Sequence, residues 1–412
     1  MKKCPIQQSI VQLFNKYPDY HIVIGYSGGL DSSVLLDLIC HYFPPNQVTA
    51  LHVNHHLMSA CDQWQTFCYQ QTQYYGCYWH TATLRPPTEY RNLEKWARDQ
   101  RYHCFKTYLN ALQMPNLLVL GHHQDDQAET FLLNVVRGSG MTGLSAIPSQ
   151  IQLTNHTRLI RPFLNIPKSQ LQSYAKHHQI QWIEDPSNQQ THFSRNWIRH
   201  HVLAPLQHHW SAATEKITQA ATHCQQTKLV LETLLAPLVE QVMDEQSQLD
   251  CLKLQAQGPL MTRFIIHHWL THQHHIQLNQ TQLQSITDGV FQATSNWSFP
   301  VNHATLVIEQ KKLQLINASS LSSTLTTKLT PTQASQWLAT YGVDMDPDTI
   351  TIRHRQGDDR CRYPGRAHRQ RIKVLCQELQ IPTWQRSQCR VITTLEGRII
   401  GLYPWFVCPE FL

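Results

Sequence analysis

The residues best suited to chemistry in this sequence form a short run of serine and glycine near the N-terminus. The run reads Ser27-Gly28-Gly29-Leu30-Asp31-Ser32-Ser33. Two adjacent glycines allow positive φ angles and the close approach of a ligand. An apolar segment precedes the run and an amphipathic one follows it, so the run lies where a helix would offer its unpaired N–H groups to an anion. Phosphate binding is the chemistry that this pattern predicts.

Asp31 is the unexpected member of the run, because a carboxylate repels phosphates unless a cation lies between them. Mg²⁺ bridging Asp31 and the phosphates of a nucleotide would remove that conflict. The run has no Gly-Lys-Ser/Thr ending, so it is not a Walker P-loop. The structural alternative is an ordinary strand–helix turn in which a serine or an aspartate caps the helix.

A second acidic motif follows a later apolar segment. It reads Leu120-Gly121-His122-His123-Gln124-Asp125-Asp126-Gln127-Ala128-Glu129-Thr130. Asp125 and Glu129 are four residues apart, so on a helix they share one face and can both reach a cation. We therefore predict Asp31, Asp125 and Glu129 as metal ligands. The alternative is an acid-rich helix N-terminus that satisfies the helix dipole.

The elements that must position these motifs alternate between strands and helices over the first 200 or so residues. Strands are expected at 21–26, 48–53, 77–84 and 117–120, and helices at 34–42, 92–112 and 128–136. This alternation predicts an α/β domain with a parallel sheet and a ligand site at the carboxyl ends of its strands.

The pattern changes after residue 210. Segments 214–243 and 260–270 have helical periodicity, and 304–316, 391–393 and 398–402 are β-like. We predict an α/β catalytic domain at 1–210, a mostly helical middle domain at 211–316, a linker at 317–335 and a small, basic α+β domain at 336–412.

Positive charge is concentrated near the C-terminus. Residues 350–373 contain eight lysines and arginines and two aspartates, a net charge of +6 that equals the formal charge of the whole 412-residue chain. A patch of this kind is typical of phosphate-backbone binding.

Several classes of protein are excluded by composition. The apolar fraction of 41% suits a globular protein, but no uninterrupted apolar run approaches the roughly 20 residues of a membrane helix. No apolar segment of a secretory signal follows Lys2 and Lys3, so we expect a cytoplasmic protein. The 12 cysteines contain no Cys-x-x-Cys pair, which favours packed, reduced thiols over a zinc or iron–sulfur site.

Taken together, the motifs resemble those of the tRNA(Ile)-lysidine synthase family, within the ATP-pyrophosphatase (PP-loop) superfamily. The similar segments are 27–33, 51–55, 92–102, 120–144, 161–164, 184–188, 194–199, 364–369 with Lys373, and 381–386. Two positions depart from the family pattern. Leu57-Met58 stands where a Leu-Arg pair is usual, and 165–168 lacks the usual arginine.

The resemblance implies a ligase that joins free L-lysine to C2 of the wobble cytidine in the CAU anticodon of tRNA(Ile). ATP would adenylate the C2 oxygen with release of pyrophosphate, and the lysine amine would then displace AMP to leave lysidine, changing the codon read from AUG to AUA. ATP and Mg²⁺ are the implied cofactors. The implied catalytic residues are Asp31, Asp125, Glu129 and His122. ATP binding is implied for 27–33 and Arg101, and tRNA binding for Arg195, Arg199, Arg366, Arg369 and Lys373.

Some alternatives stay open at this point. The base that takes the proton of the lysine amine is His122, His123 or a carboxylate. A tRNA thiolase on the same scaffold would need catalytic cysteines, a non-catalytic RNA-binding protein would not need the acidic residues, and a GMP synthetase would need a glutaminase domain. The oligomeric state is not fixed by the sequence, and a homodimer is one state that it allows.

Overall fold

The computed structural model describes residues 4–56, 60–85, 93–186, 194–292, 297–302, 304–317, 329–379, 381, 386 and 389–412. Leu57-Met58, the end of the 184–188 motif, most of the 381–386 segment and most of the expected linker lie outside these residues. The chain divides into two compact units, Met1–Val230 and Leu231–Leu412.

The first unit is built on a six-stranded sheet with the strand order β3-β2-β1-β4-β6-β5. All neighbouring strands are parallel except β5 and β6. The strands are β1 (His21–Gly25), β2 (Val48–Asn54), β3 (Tyr78–Thr83), β4 (Asn116–Val119), β5 (Gln150–Gln152) and β6 (Thr157–Ile160). The four strands predicted from sequence are confirmed to within one residue at each end.

Helices complete the predicted α/β fold, and the last of them continues past the end of the first unit at Val230. They are α1 (Pro5–Lys16), α2 (Leu30–Tyr42), α3 (Cys61–Tyr75), α4 (Leu93–Ala111), α5 (Gln124–Val136), α6 (Met141–Leu144), α7 (Lys168–His177), α8 (Ser194–Ile198), α9 (Ala204–His209) and α10 (Ala213–Val242), with a π-helix (Arg199–Leu203) between α8 and α9. In β1, Ile22 and Ile24 join one apolar cluster whereas Val23 joins another. Burial on both faces explains why the strand is continuously apolar.

Strands β1 and β4 are neighbours, and this places the two sequence motifs side by side. They pair in parallel from His21 with Asn116 to Ile24 with Val119, so both end at the same edge of the sheet. A Cβ added at Gly121 would lie 3.0 Å from the carbonyl oxygen of Asp31. The loop after β4 therefore touches the first turn of α2, and a larger residue at position 121 would separate the motifs.

The second unit begins with helices and an antiparallel sheet of order β7-β10-β9-β8. The helices are α11 (Cys251–Ala256), α12 (Gly258–Gln273) and α13 (Gln280–Gln292), and the strands are β7 (Leu249–Asp250), β8 (Trp297–Val301), β9 (Ala304–Glu309) and β10 (Lys312–Asn317). The β-like stretch predicted at 304–316 is a hairpin. It turns at Gln310 and Lys311, whose φ angles are 49° and 63°.

The C-terminal part combines one helix with two further sheets. Helix α14 (Pro331–Ala339) starts inside the segment expected to be a linker, and Thr330 and Gln333 form a capping box there. A four-stranded sheet contains β11 (Ile350–His354), β14 (Arg390–Thr394), β15 (Ile399–Tyr403) and β16 (Phe406–Val407). A separate hairpin contains β12 (Arg360–Cys361) and β13 (Gln370–Arg371), and α15 (Ile372–Glu378) follows it.

Two general expectations can be compared with these elements. Within the described ranges, no helix combines the length and the apolar character that crossing a membrane requires. Eight of the twelve cysteines are buried, as expected for thiols that fill apolar space. Cys104 lies in α4 and is half-buried, in line with its predicted place in a helix.

Candidate active site

The serine- and glycine-rich run forms the turn between β1 and α2. Gly28 has a φ of 81°, and a Cβ there would come within 2.7 Å of Cys68 Sγ. The hydroxyls of Ser27 and Ser32 are 3.1 Å apart, and Ser32 Oγ also donates to the Gly29 carbonyl at 3.0 Å. Gly29 caps α2 without a side-chain hydrogen bond. The Gly29 N–H donates to Ser27 Oγ at 3.4 Å, but the capping residue itself supplies no side-chain acceptor to the first turn of the helix, which is the arrangement that an anion can use.

Asp31 lies in the first turn of α2, and within the described part of the chain only one of its two carboxylate oxygens has a nearby polar partner. Its Oδ1 is buried and has no hydrogen-bond partner among the described residues. Its Oδ2 lies 3.6 Å from His123 Nε2. Burial raises the pKa of Asp31, and the negative charge of Asp126 adds to the rise, while His123 opposes it. A buried carboxylate oxygen without a partner is the ligand that a divalent cation would complete, so the residues present fit Mg²⁺.

His123 and Asp126 fix the start of α5 against this turn. The His123 N–H donates to Asp126 Oδ2 at 2.9 Å, and the Asp126 N–H donates to His123 Nδ1 at 3.4 Å. His123 is buried, and its Nε2 lies 3.6 Å from both Asp31 Oδ2 and Asp126 Oδ2. Because Nδ1 accepts and Nε2 faces two carboxylates, His123 acts as a capping residue that carries its proton on Nε2.

Glu129 differs most from its predicted role. It is fully buried, and its two oxygens are held by arginines from α8 and the π-helix. Arg195 Nε donates to Oε2 at 2.8 Å, and Arg199 Nε donates to Oε1 at 2.6 Å. Within the described residues, no three His, Cys, Asp or Glu side chains cluster closely enough to hold a metal ion. The predicted trio of metal ligands is thus not assembled, because the arginines occupy the carboxylate of Glu129.

The two remaining acids of the motif, Asp125 and Asp126, differ in whether an arginine pairs with them. Burial alone would raise the pKa of Asp126, but Arg195 and His123 outweigh it and hold that pKa well below its usual value. Arg195 Nη2 lies 2.9 Å from Asp126 Oδ1. Burial raises the pKa of Asp125, and the charges of Glu129 and Asp126 add to the rise. His123 and a hydrogen bond from the backbone N–H of Lys168 oppose this rise. No ion pair is formed by Asp125 within the part of the chain that the structure describes.

His122 lies in an arginine-rich environment that sequence reasoning did not foresee. Arg161 Nε donates to His122 Nδ1 at 3.3 Å. Desolvation lowers the pKa of His122 to about 3; Arg161, Arg195 and Arg98 add to the lowering, and Asp126 opposes it. The imidazole is therefore neutral at pH 7. A base with this pKa takes up a proton poorly near neutrality, so the placement disfavours His122 as the general base.

Arg161 and Asp126 are the residues that sequence reasoning left out of the site. Arg161 opens one of the segments that carry the family resemblance, and Asp126 lies inside the second motif, so both signals were present. Their roles depend on partners far away in the chain. Arg161 contacts residues 39 and 59 positions away, and Arg195 contacts Asp126 across 69 positions.

Arg101, predicted to bind ATP, lies on α4, and part of its surface is exposed although the surrounding chain desolvates the guanidinium. This desolvation lowers the pKa of Arg101, and the charges of Arg98 and Arg195 add to the lowering. Burial and the nearby Arg101 lower the pKa of His55 to about 4. Arg101 therefore joins a group of cations around the carboxyl edge of the sheet, where an anionic ligand would be stabilised.

The basic residues of the C-terminal part fall into two groups. Some are already paired with acids: Arg353 makes two hydrogen bonds with the carboxylate of Asp359, Arg366 contacts Glu378, and Arg362 and Arg369 contact Glu410. Others are exposed and have no ion-pair partner among the described residues, namely Arg360, Arg371 and Lys373. Arg360 and Arg371 lie directly opposite each other on β12 and β13. Like charges in this position repel, so a bound anion would relieve the repulsion between the two guanidinium groups.

Comparisons with known proteins match both ends of the chain. Residues 2–206 match the family model described as PP-loop domain, and residues 350–411 match the model described as TilS substrate C-terminal domain. The chain is 33% identical over 408 residues to a tRNA(Ile)-lysidine synthase of Francisella philomiragia, covering 97% of this chain and 98% of that protein.

Two further relatives carry the same name. The chain is 32% identical to the Coxiella burnetii protein, covering 94% of this chain and 89% of that protein, and 33% identical to the Legionella pneumophila protein, covering 90% and 88%. These similarities extend over nearly the whole length, and the ATP-pyrophosphatase-type loop lies where the fold requires it. The chain belongs to the tRNA(Ile)-lysidine synthase family.

Proposed function

We propose that this protein ligates free L-lysine to C2 of the wobble cytidine in the CAU anticodon of tRNA(Ile), at the expense of ATP. The observation that carries the proposal is the pairing of an ATP-pyrophosphatase loop with the partnerless Asp31 carboxylate oxygen beside it. Membership of the family supplies the identity of the substrates. ATP adenylates the C2 oxygen, and the lysine amine then displaces AMP to give lysidine.

The loop residues 27–33 would bind the pyrophosphate part of ATP through backbone N–H groups and the serine hydroxyls. Asp31 would hold Mg²⁺ through its open Oδ1, and the cation would supply charge neutralisation on the phosphates. Arg101, Arg195 and Arg199 would add positive charge near the nucleotide or the tRNA. We assign Glu129 a different role from the one its spacing predicts, since it orients Arg195 and Arg199.

A proton must leave the lysine ammonium before its nitrogen can attack. His123 already directs Nε2 toward two carboxylates, and the pKa of His122 is about 3, with desolvation as the main cause. These observations favour a carboxylate, and Asp125 is our candidate because burial raises its pKa and no arginine of the described segments is paired with it. Asp125 would first attract the ammonium and then accept its proton.

For the remaining chain we propose that 1–210 is the catalytic domain and that 211–316 and 336–412 bind tRNA, with the segment 317–335 between them, the end of which belongs to α14. Arg360, Arg371 and Lys373, which have no ion-pair partner among the described residues, support a phosphate-backbone contact in the last domain. Arg366 and Arg369 would join them if their exposed and individually weak ion pairs open. A homodimer stays an expectation, which analytical ultracentrifugation of the same preparation would test.

The test is incorporation of radiolabelled lysine into acid-precipitable RNA, with ATP, Mg²⁺ and a tRNA(Ile) transcript bearing CAU. We expect incorporation that requires ATP and falls by at least about 10²-fold in Asp31→Asn. Asp37→Asn is the matched control on the same helix, because Asp37 accepts hydrogen bonds from Tyr75 and Tyr174 instead of facing the loop. Pyrophosphate release with this tRNA but no lysine incorporation would refute lysine as the nucleophile and favour the thiolase alternative.

A further inference from the structure

Arg161 is a buried cation that has no carboxylate partner among the described residues. Its side chain is only 4% exposed, and all three of its hydrogen-bond partners are neutral. Nη1 donates to the Pro148 carbonyl at 2.6 Å, Nη2 donates to the Tyr102 hydroxyl at 3.2 Å, and Nε donates to His122 Nδ1 at 3.3 Å. Burying a guanidinium without a carboxylate partner is costly, because neutral acceptors compensate less of its lost hydration. A role of Arg161 in the site would explain why the chain accepts this cost.

The contact with His122 fixes the state of the imidazole. Arginine has only donors, so the nitrogen that it contacts must carry a lone pair. His122 Nδ1 is therefore unprotonated, and the proton of the neutral ring is on Nε2. Protonating Nδ1 as well would break this hydrogen bond and place a second cation beside the buried guanidinium.

The other nitrogen is left open. His122 is half-buried, and within the described residues Arg161 is its one hydrogen-bond partner, so the Nε2–H has no acceptor. Charged groups from each neighbouring element face this ring: Arg98 from α4, Asp126 and Arg195 from α5 and α8, and Arg161 after β6. The surrounding charge is mainly positive, so the acceptor that completes Nε2–H would be an anionic or strongly polarised oxygen.

We infer that His122 is a neutral, fixed hydrogen-bond donor that presents Nε2–H to an oxygen of the bound substrate, and that Arg161 is the positioning residue that selects this tautomer. The inference rests on the proposed function only for the identity of that oxygen, which is a phosphate oxygen of the nucleotide or a carbonyl oxygen of the RNA base. A donor of this kind stabilises negative charge that develops on oxygen during the reaction.

The tautomer is tested without any substrate. The full-length protein is labelled with ¹⁵N-histidine, and long-range ¹H–¹⁵N correlation spectra are recorded at pH 7.5, with the His122 signals assigned by their loss in His122→Gln. We expect an unprotonated Nδ1 and a protonated Nε2. In Arg161→Met both tautomers should appear, so the two nitrogen shifts should move toward each other. Tyr102→Phe is the matched control, since it removes another acceptor of Arg161 and should leave His122 unchanged.

Either of two results would overturn the assignment: a protonated Nδ1 in the wild type, or an unchanged His122 signal in folded Arg161→Met. Arg161→Gln provides a second variant if Arg161→Met does not fold, because its amide can still donate to the Pro148 carbonyl. The source of the acceptor follows from two titrations. A shift of the Nε2 signal with ATP and Mg²⁺ alone identifies the nucleotide, a shift only after tRNA transcript is added identifies the RNA, and no shift in either refutes the donor role.

Activity measurements then separate a donor from a base. Gln can place an N–H near the position of Nε2, but Phe cannot. In single-turnover lysine incorporation we expect His122→Phe to lose about 10²-fold in rate and His122→Gln to lose no more than about tenfold. Equal losses would contradict the donor role. If the wild type incorporates no lysine at all, the proposed function fails, while the tautomer result stands on its own.

Discussion

Asp31 provides a stringent test of the site, because its carboxylate is in an unfavourable environment when no cation is bound. Its side chain is 32% exposed, Oδ1 is buried without a partner, and burial raises its pKa. Replacing it by asparagine keeps the shape of the side chain and removes the charge. We therefore expect Asp31→Asn to abolish activity and yet to stabilise the metal-free protein.

The size of the gain follows from the buried charge, because asparagine leaves a polar atom in the place of Oδ1 and removes only the charge. Leaving a buried polar group unsatisfied costs about 1–3 kcal/mol, and the cost is higher when the group is charged. Because the carboxylate is partly exposed, we take the lower limit of about 1 kcal/mol. For a unit of this size that corresponds to a rise in Tm of about 2–4 °C. The nearby Asp126 is a second reason for the gain, since its charge also raises the pKa of Asp31.

The stabilisation of Asp31→Asn relative to wild type should be larger at neutral pH than at acidic pH. A raised carboxyl pKa means that the folded protein binds the proton more tightly than the unfolded chain does. The destabilisation is then fully present above the raised pKa and disappears as the pH falls toward the ordinary value of 3.8. The stabilisation of Asp31→Asn relative to wild type should be largest at pH 7–8 and should vanish near pH 4.

The assay is thermal unfolding followed by circular dichroism, with EDTA or with ATP and Mg²⁺. A ligand at 100 times its Kd stabilises the folded state by about 2.7 kcal/mol, so wild type should gain about 5–11 °C. Asp31→Asn should lose most of this shift. Asp37→Asn should be less stable in EDTA, because two tyrosine hydroxyls lose a charged acceptor, and should keep the shift. A lower Tm of Asp31→Asn in EDTA, or a full ligand shift, would refute the reasoning.

Three further predictions concern the arginines and their partners. Glu129→Gln should destabilise the protein by about 3–5 kcal/mol in thermal unfolding, because it leaves two arginines without their buried partner, whereas the exposed Glu215→Gln should change stability by less than about 0.5 kcal/mol. The pKa of Asp126 is held low mainly by Arg195, against the effect of burial. Asp126 should therefore contribute stability that is present above pH 3.8 and lost as the pH falls further. The loss of stability of Asp126→Asn with falling pH should then be less steep than that of wild type. Arg371→Gln should lower the dependence of log Kd for tRNA on log[salt] by about one without loss of Tm, whereas Arg353→Gln should lower the Tm and keep the salt dependence. An unchanged Tm in Glu129→Gln or an unchanged pH dependence in Asp126→Asn would contradict the assigned ion pairs. An unchanged salt dependence in Arg371→Gln would contradict the proposed contact with the RNA backbone.

Strands β1 and β4 and the later turns of α2 and α5 were predictable, because each depends on a local signal, whereas both helices begin four residues earlier than the sequence predicted. A strand that is buried on both faces gives an uninterrupted apolar run, and the run ends where the sheet edge exposes polar residues. The hairpin at 304–317 was only partly predictable. Its turn uses Gln310 and Lys311 at positive φ, and neither residue type carries the signal that glycine or asparagine would give.

The role of Glu129 was not predictable from spacing. A carboxylate four residues from Asp125 suits a shared cation and an ion pair equally well, since the helix only fixes the face on which both lie. The choice depends on Arg195 and Arg199, which are 66 and 70 positions further along the chain. Their approach is a tertiary event that no local pattern encodes. The buried Arg161 is similar, because an arginine with only neutral partners contradicts the rule that buried charges are paired.

The acids of the site thus have two different functions although their residue types are alike. Asp126 and Glu129 are neutralised by Arg195 and Arg199, so they hold the arginines in place and carry little free charge. Asp31 and Asp125 have no arginine partner, and burial raises the pKa of each. A carboxylate that is costly to ionise gains more from a nearby cation than one that arginines already neutralise. The arginines consequently do more than attract anions: we propose that, by neutralising Asp126 and Glu129, they leave Asp31 and Asp125 to bind a metal ion or a substrate ammonium.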